Sequence, residues 1–363
     1  MDLQAAHFPP VTLDAAALMA THRAMDASPP GREDLAFTLK LPQGWACDPT
    51  SLVSPGDGSK WTPLAVFGNR ESNQVAMVAV LWRKLEVEVP LDQWIAFQTA
   101  RLNVDIISFR TWNDARGMVI DVGGTFVGHI TAPGQPVGKS DAGPQLSAAV
   151  RAMARCDAQD VFTVWGICAR DSYPDVAQDL AIAAASFELK RAPSRQTMEA
   201  MQCVGAAAPA FEVFCPASWT HQPIPDNLPL PGKSGLNLIL APSGALDGFV
   251  RVKAIDVRVV SDLTMDRLVQ DATEELAEGN ITLSANWLPA SDPAIVSTPD
   301  LEAALIAGGL VQQAPYEIHF GVVQRPPLIF CVTAIVAAPN TDAIACMRGR
   351  RAYTIALATS RPQ

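Results

Sequence analysis

The stretch Gly134 to Ser140, GQPVGKS, contains the residue types of a phosphate-binding loop, in which backbone amides and a lysine would hold phosphate oxygens. Its spacing is one residue short of the G-x-x-x-x-G-K-[ST] pattern. No apolar strand leads into it, and Pro144 breaks the segment beyond Ser140, so no helix N-terminus is offered to an anion. A surface loop is expected. The histidines are His7, His22, His129, His221 and His319; none forms H-E-x-x-H, and none stands at zinc spacing from a cysteine. There is no G-x-S-x-G elbow to activate a serine. The neighbours Glu274 and Glu275 fall on the polar side of an amphipathic helix, where solvation explains them without acid–base work. The pairs Gly123-Gly124 and Gly308-Gly309 lie beside strands and predict bulges or turns. The expectation is a chain without catalytic residues, cofactor or metal, and hence not an enzyme.

What remains is binding. Trp45 and Trp219 follow the first strand of each half and are expected to plug the end of a core. Trp82 and Trp165 belong to long strands; they either pack a core or sit on a sheet face that offers apolar side chains to a ligand or helix. Along Val75–Trp82 one face carries Ala76, Val78, Val80 and Trp82 and the other Val75, Met77, Ala79 and Leu81, so both are apolar and both should be covered. In the second half Arg251 and Lys253 share a face with Phe249 and Ile255, which is then partly wet or lines a polar groove. Val78, Val80, Trp82, Trp165, Arg251 and Lys253 are the candidate partner-binding residues.

The elements that carry these residues occur twice. Sliding the sequence on itself by about 174 positions lays FTLKLPQGW (Phe37 to Trp45) on FEVFCPASW (Phe211 to Trp219), and the strand and helix of Val75 to Leu102 on those of Phe249 to Leu276. In the second helix Met265, Leu268, Val269, Ala272 and Leu276 form an amphipathic stripe behind a Thr264 N-cap, and Asp92 is a similar cap in the first. At a shift of about 168, two strands joined by Asp157–Asp160 match two joined by Gln324–Pro327. Each copy then turns through a helix and closes on a short strand, SFELK from Ser186 and AYTIAL from Ala352. The domains predicted are an N-terminal extension over 1–32, a first domain over 33–190, a linker over 191–209 and a second domain over 210–359.

A chain of 363 residues, 49 % apolar and 18 % charged, is long enough for two globular cores. Its formal charge of −10 argues against nucleic acid or an anionic membrane surface as partner. The basic cluster Arg348, Arg350 and Arg351 is expected to be a solvated helix end. No signal peptide and no membrane-spanning apolar run is apparent, and the seven cysteines form no C-x-x-C, so a cytoplasmic protein with reduced thiols and no direct membrane insertion is expected.

FTLKLPQGW, VPLDQWIAFQTARL, VFTVWGICARDSYPDVAQDLAIAAASFEL and their second-copy counterparts resemble the Mog1/PsbP-like superfamily, in particular its bacterial DcrB-like branch. The resemblance implies an α+β fold: two tandem domains, each an antiparallel sheet flanked by helices, in a family of mostly non-catalytic binding modules. The nearest functional analogy is the Eag chaperones of type VI secretion, which act as dimers and cradle hydrophobic segments of effectors. A tandem chain then looks like a monomer acting as a pseudo-dimer. The expected function is a chaperone or adaptor for an apolar segment of a partner protein, such as a secreted effector. An immunity-type interaction protein and an enzyme with a site at the domain interface are the alternatives.

Overall fold

A computed structural model describes residues 8, 21–69, 76–114, 117–128, 146–194, 197–224, 231–240, 247–261 and 263–363. The GQPVGKS stretch, His7 and His129 lie outside the described residues. The chain forms two compact units, one of Met1–Glu86 and Leu91–Met198, the other of Glu199–Gln363 with Val87–Pro90. Both are α+β, with antiparallel sheets throughout.

In the first unit β1 (His22–Ala27) and β2 (Phe37–Pro42) pair, and after the turn at Gly44 the chain continues through β3 (Trp45–Cys47), β4 (Thr62–Asn69) and β5 (Ala76–Lys84). Gly44 has φ +92°, a conformation open to glycine and costly for other residues. Helix α1 (Leu91–Arg101) leads to β6 (Asp105–Asp114), β7 (Gly117–Gly128), β8 (Leu146–Asp157) and β9 (Asp160–Ala169). Helix α2 (Tyr173–Ala185) and β10 (Glu188–Leu189) close the unit. The strands form a seven-stranded sheet in the order β3-β4-β5-β9-β8-β7-β6 and a small sheet β1-β2-β10.

Period-two alternation explains β2: Phe37, Leu39 and Leu41 are buried and the residues between them are not. They join Phe67, Val78, Val80, Trp82 and Phe162 in a core roofed by Val176, Leu180, Ala183 and Ala184 of α2. Gly166 lets that helix approach, since a Cβ there would lie 2.8 Å from Leu180 Cβ. The opposite face of β5 is covered too: Ala79 clusters with Val104, Val150, Ala152 and Trp165.

The second unit runs β11 (Met201–Ala207), β12 (Ala210–Pro216), β13 (Thr220–Pro223), β14 (Lys233–Leu240), β15 (Gly248–Asp256), α3 (Met265–Glu278), β16 (Ile281–Leu283), β17 (Leu288–Pro289) and the single turn α4 (Pro293–Val296). It ends with β18 (Leu301–Val311), β19 (Ala314–Arg325), β20 (Leu328–Ala337), α5 (Ala343–Thr359) and β21 (Arg361–Pro362). Its large sheet is β13-β14-β15-β20-β19-β18-β16, with β17 also on β18, and its small sheet is β11-β12-β21. The strand order is that of the first unit. Trp45 and Trp219 are both buried in their cores, and Thr264 caps α3 by accepting from Arg267 N–H at 3.3 Å.

Several sequence expectations need correction. The predicted N-terminal extension contains β1, which pairs with β2 along its whole length, and the predicted linker contains β11, which pairs with β12. AYTIAL is part of helix α5, where Ala352, Tyr353, Ala356 and Leu357 share one buried face; the closing strand is β21. Asp92 lies in the first turn of α1 rather than ahead of it. Trp82 faces Phe162 and Ala254 faces Phe330, so Trp82 corresponds to Ala254, two residues before the Asp256 that a uniform shift implies. The connection from strand to helix is two residues longer in the second unit. Arg348, Arg350 and Arg351 lie mid-helix, and Arg350 donates to Glu317 at 2.7 and 2.6 Å instead of fraying into solvent.

Candidate functional site

Val78 and Val80, with Trp82, are fully buried in the first core, and the Trp82 indole N–H donates to Asp160 at 2.9 Å. Trp165 is buried on the other face of the same sheet. These four hold the unit together and present no surface to a partner. Arg251 and Lys253 are different: each keeps a partly exposed side chain beside a cavity of the second unit.

That cavity, of about 260 Å³, lies between the β15–β20 face and α3. Phe249, Ala272, Leu276, Ile281, Val311 and Ile335 make its apolar walls, with Thr333 at its side and Arg251 and Glu275 as its charged members. The amphipathic stripe of α3 puts Leu268, Ala272 and Leu276 inward, and the same turn brings Glu275 to the rim. Arg251 donates to Asn237 Oδ1 at 3.1 Å and to Glu275 at 3.4 Å, and Lys253 Nζ contacts the same carboxylate. Burial, with Arg251 beside it, pushes the Lys253 amine down to about 8, and burial lowers Arg251 as well. Two cations thus share one carboxylate.

The first unit differs at this level. Ala79 there stands opposite Trp165, whereas Arg251 stands opposite Thr333. The indole occupies the volume that a threonine leaves open. The sequence pattern assigns Glu275 to a solvated helix face; only the register that puts Arg251 and Lys253 beneath α3 shows otherwise.

A second surface had no distinct signal in the sequence. β6 is ten residues long and forms the edge of the first sheet; among the described residues no strand pairs with its outer side. Ile106, Ile107, Phe109 and Trp112 on it, with Met118 and Val127 on β7, are between 37 and 58 % exposed. The register slips between Ile106 and Ser108, opposite Gly124 and Gly123, so the bulge lies on β6 and not on the glycine strand. The corresponding edge of the second sheet is broken into the short strands β16 and β17.

Charge is also buried, in the first unit beneath β6 itself. Arg151 donates to both oxygens of Asp121 at 3.1 and 2.9 Å, and Arg110 lies 2.9 Å from the same carboxylate. Arg110 also donates to the Phe8 carbonyl at 2.7 Å, while the Phe8 ring packs on Gly123 and lies 4.9 Å from the Tyr173 ring. In the second unit Glu317 is held by His319 and Arg350. Burial would raise the Glu317 carboxyl, but these two donors outweigh it and lower it to about 2. Such paired buried charges are structural in kind. Among the described residues no group of three His, Cys, Asp or Glu side chains could hold a metal ion, and no helix is long and apolar enough to cross a membrane.

No protein-family model matches the chain, and no curated protein matches it in sequence. Among solved structures it is similar to the solution structure of cyanobacterial PsbP from Synechocystis sp. PCC 6803, with 12 % identity and a TM-score of 0.32, over 50 % of this chain and 99 % of that one. It is also similar to the Ran-binding protein Mog1p of Saccharomyces cerevisiae, with 12 % identity and a TM-score of 0.31, over 46 % of this chain and 95 % of that one. These are likenesses alone; the functional reading rests on the surfaces described above.

Proposed function

We propose that the protein is a non-catalytic adaptor or chaperone that takes up an extended apolar segment of a partner protein along β6. The observation that carries this reading is that, among the described residues, no strand pairs with the outer edge of β6, which carries exposed apolar side chains. An edge strand presents unpaired N–H and C=O groups to a further strand, and Phe109 and Trp112 supply apolar contact area on it. Soluble proteins ordinarily blunt such an edge with charge, proline or short strands, as the second unit does with β16 and β17. The partner strand would gain main-chain hydrogen bonds from β6 and cover side chains that water now touches.

The finer reading is that the chain is a head-to-tail duplication of one Mog1/PsbP-like domain, a pseudo-dimer in one polypeptide whose client is a hydrophobic segment of a secreted effector. The shared strand order and the matched Trp45 and Trp219 support the duplication. The unequal edges support a division of labour, in which one copy binds.

Hydrogen exchange on the intact chain tests the reading. Added peptides of alternating apolar and polar residues should slow exchange across β6, and the double substitution Ile107→Lys with Phe109→Lys should remove that protection. Protection at other strands only, or none with any peptide, would overturn it. Protection that grows with protein concentration in the absence of peptide would replace the partner with a second copy of this chain.

A further inference from the structure

We infer that the cavity beneath α3 binds a small amphipathic anion: a single carboxylate carried on an aryl or medium-length alkyl group. This goes beyond the proposed function and is independent of it, since β6 and the cavity belong to different units.

Shape sets the apolar half of the ligand. Six walls are hydrocarbon, and about 260 Å³ is room for a ring or a short chain; an apolar cavity of about 150 Å³ is enough to admit benzene. A site of this size lies just below the usual range of ligand pockets and is too small for nucleotides and long-chain lipids.

Charge sets the polar half. Arg251 and Lys253 project from adjacent positions on one face of β15, and both lean on Glu275. Lys233 lies on the neighbouring strand opposite Ile255, so it belongs to the same side of the sheet. From α3 the face also receives Asp271, already 2.8 Å from Arg267 on its own helix. Arg251 and Lys253 therefore share the one carboxylate that lines the cavity, while Lys233 lies farther along the same face and Asp271 is engaged with Arg267. In a chain of net charge −10, a partly buried cluster with surplus positive charge is complementary to an anion. Asn237 fixes the Arg251 fork from the side away from Glu275, which leaves guanidinium N–H groups oriented within the site and not swinging in solvent. Thr333 adds a hydroxyl at the same level. An entering carboxylate would accept from Arg251 and Lys253 while its apolar tail replaces water against Phe249, Leu276 and Ile335.

Calorimetric titration of the full chain with sodium octanoate and, separately, with 1-octanol tests the assignment. Octanoate should bind at one site with a Kd of about 1 mM or tighter, and octanol at least about tenfold more weakly. Lys253→Met should weaken octanoate about tenfold and leave octanol unchanged. Thr333→Trp should abolish both by filling the space, as Trp165 fills its counterpart. Absence of saturable octanoate binding would overturn the proposal. So would equal affinity for octanol, which would make the occupant a neutral apolar group, or unchanged affinity in Thr333→Trp, which would place the site elsewhere. Should Thr333→Trp fail to fold, Lys253→Met alone decides the charge requirement.

Discussion

Arg251 faces Thr333 across neighbouring antiparallel strands at the level where the first sheet pairs Ala79 with Trp165. The bulky side chain thus sits on β9 in the first sheet and on β15 in the second, and in the second sheet a cavity lies beside it.

This exchange makes opposite substitutions unequal. Thr333→Trp fills existing space and is expected to leave stability unchanged or raise it by about 0.5–2 kcal/mol in urea unfolding. Trp165→Thr empties a packed cluster and is expected to cost about 3 kcal/mol or more, as large-to-small core changes do. Equal effects from the two would show that the cavity is not preformed.

Acid should act on the second unit through Glu317. Its carboxyl is lowered to about 2 in the fold against an ordinary value of 4.5, so the folded state favours the ionised form. The resulting stabilisation is complete above pH 4.5 and is lost as pH falls through about 2, amounting to about 3 kcal/mol. Glu317→Gln should remove that contribution at neutral pH and flatten the acid limb of a stability–pH curve. An unchanged limb would assign the acid response to other carboxylates.

The apolar residues of β6 should be dispensable for folding. Ile107→Lys and Phe109→Lys replace exposed side chains, so each is expected to change unfolding free energy by no more than about 0.5 kcal/mol while raising solubility. Marked destabilisation of either would mean that the strand is covered in solution.

Phe8 reaches the first core from outside the sheets. Phe8→Ala removes a buried ring from Gly123 and Tyr173 and should cost about 3–5 kcal/mol. Gly123→Ala should cost a comparable amount by expelling the ring, because its Cβ would fall 2.4 Å from Phe8 Cγ. Additive losses in the double variant would show that the two residues do not meet.

The long strands were legible in the sequence because their burial follows a period of two or a continuous apolar run, as in FTLKLP and LIFCVTAIVA. β1 and β11 were not: each is an edge strand of a small sheet, with at most two buried residues, so its pattern reads as loop. AYTIAL misled because six apolar or β-prone residues suit a strand as well as the buried face of a helix, and only the sheet beneath α5 decides between them. Arg251 and Lys253 stand out as charges in an apolar strand. Glu275 and Thr333 do not, because a cavity is defined by what two distant segments fail to fill, which no local pattern carries.

Each unit is fastened by very little at its end. β10 and β21 contribute only two residue pairs apiece, joining β2 and β12, while the wide meanders rest on ladders of up to ten residue pairs. Tension along the polypeptide would meet these clasps first. A half of the molecule could therefore slacken at its hem while its last helix stays seated on the sheet by its buried face.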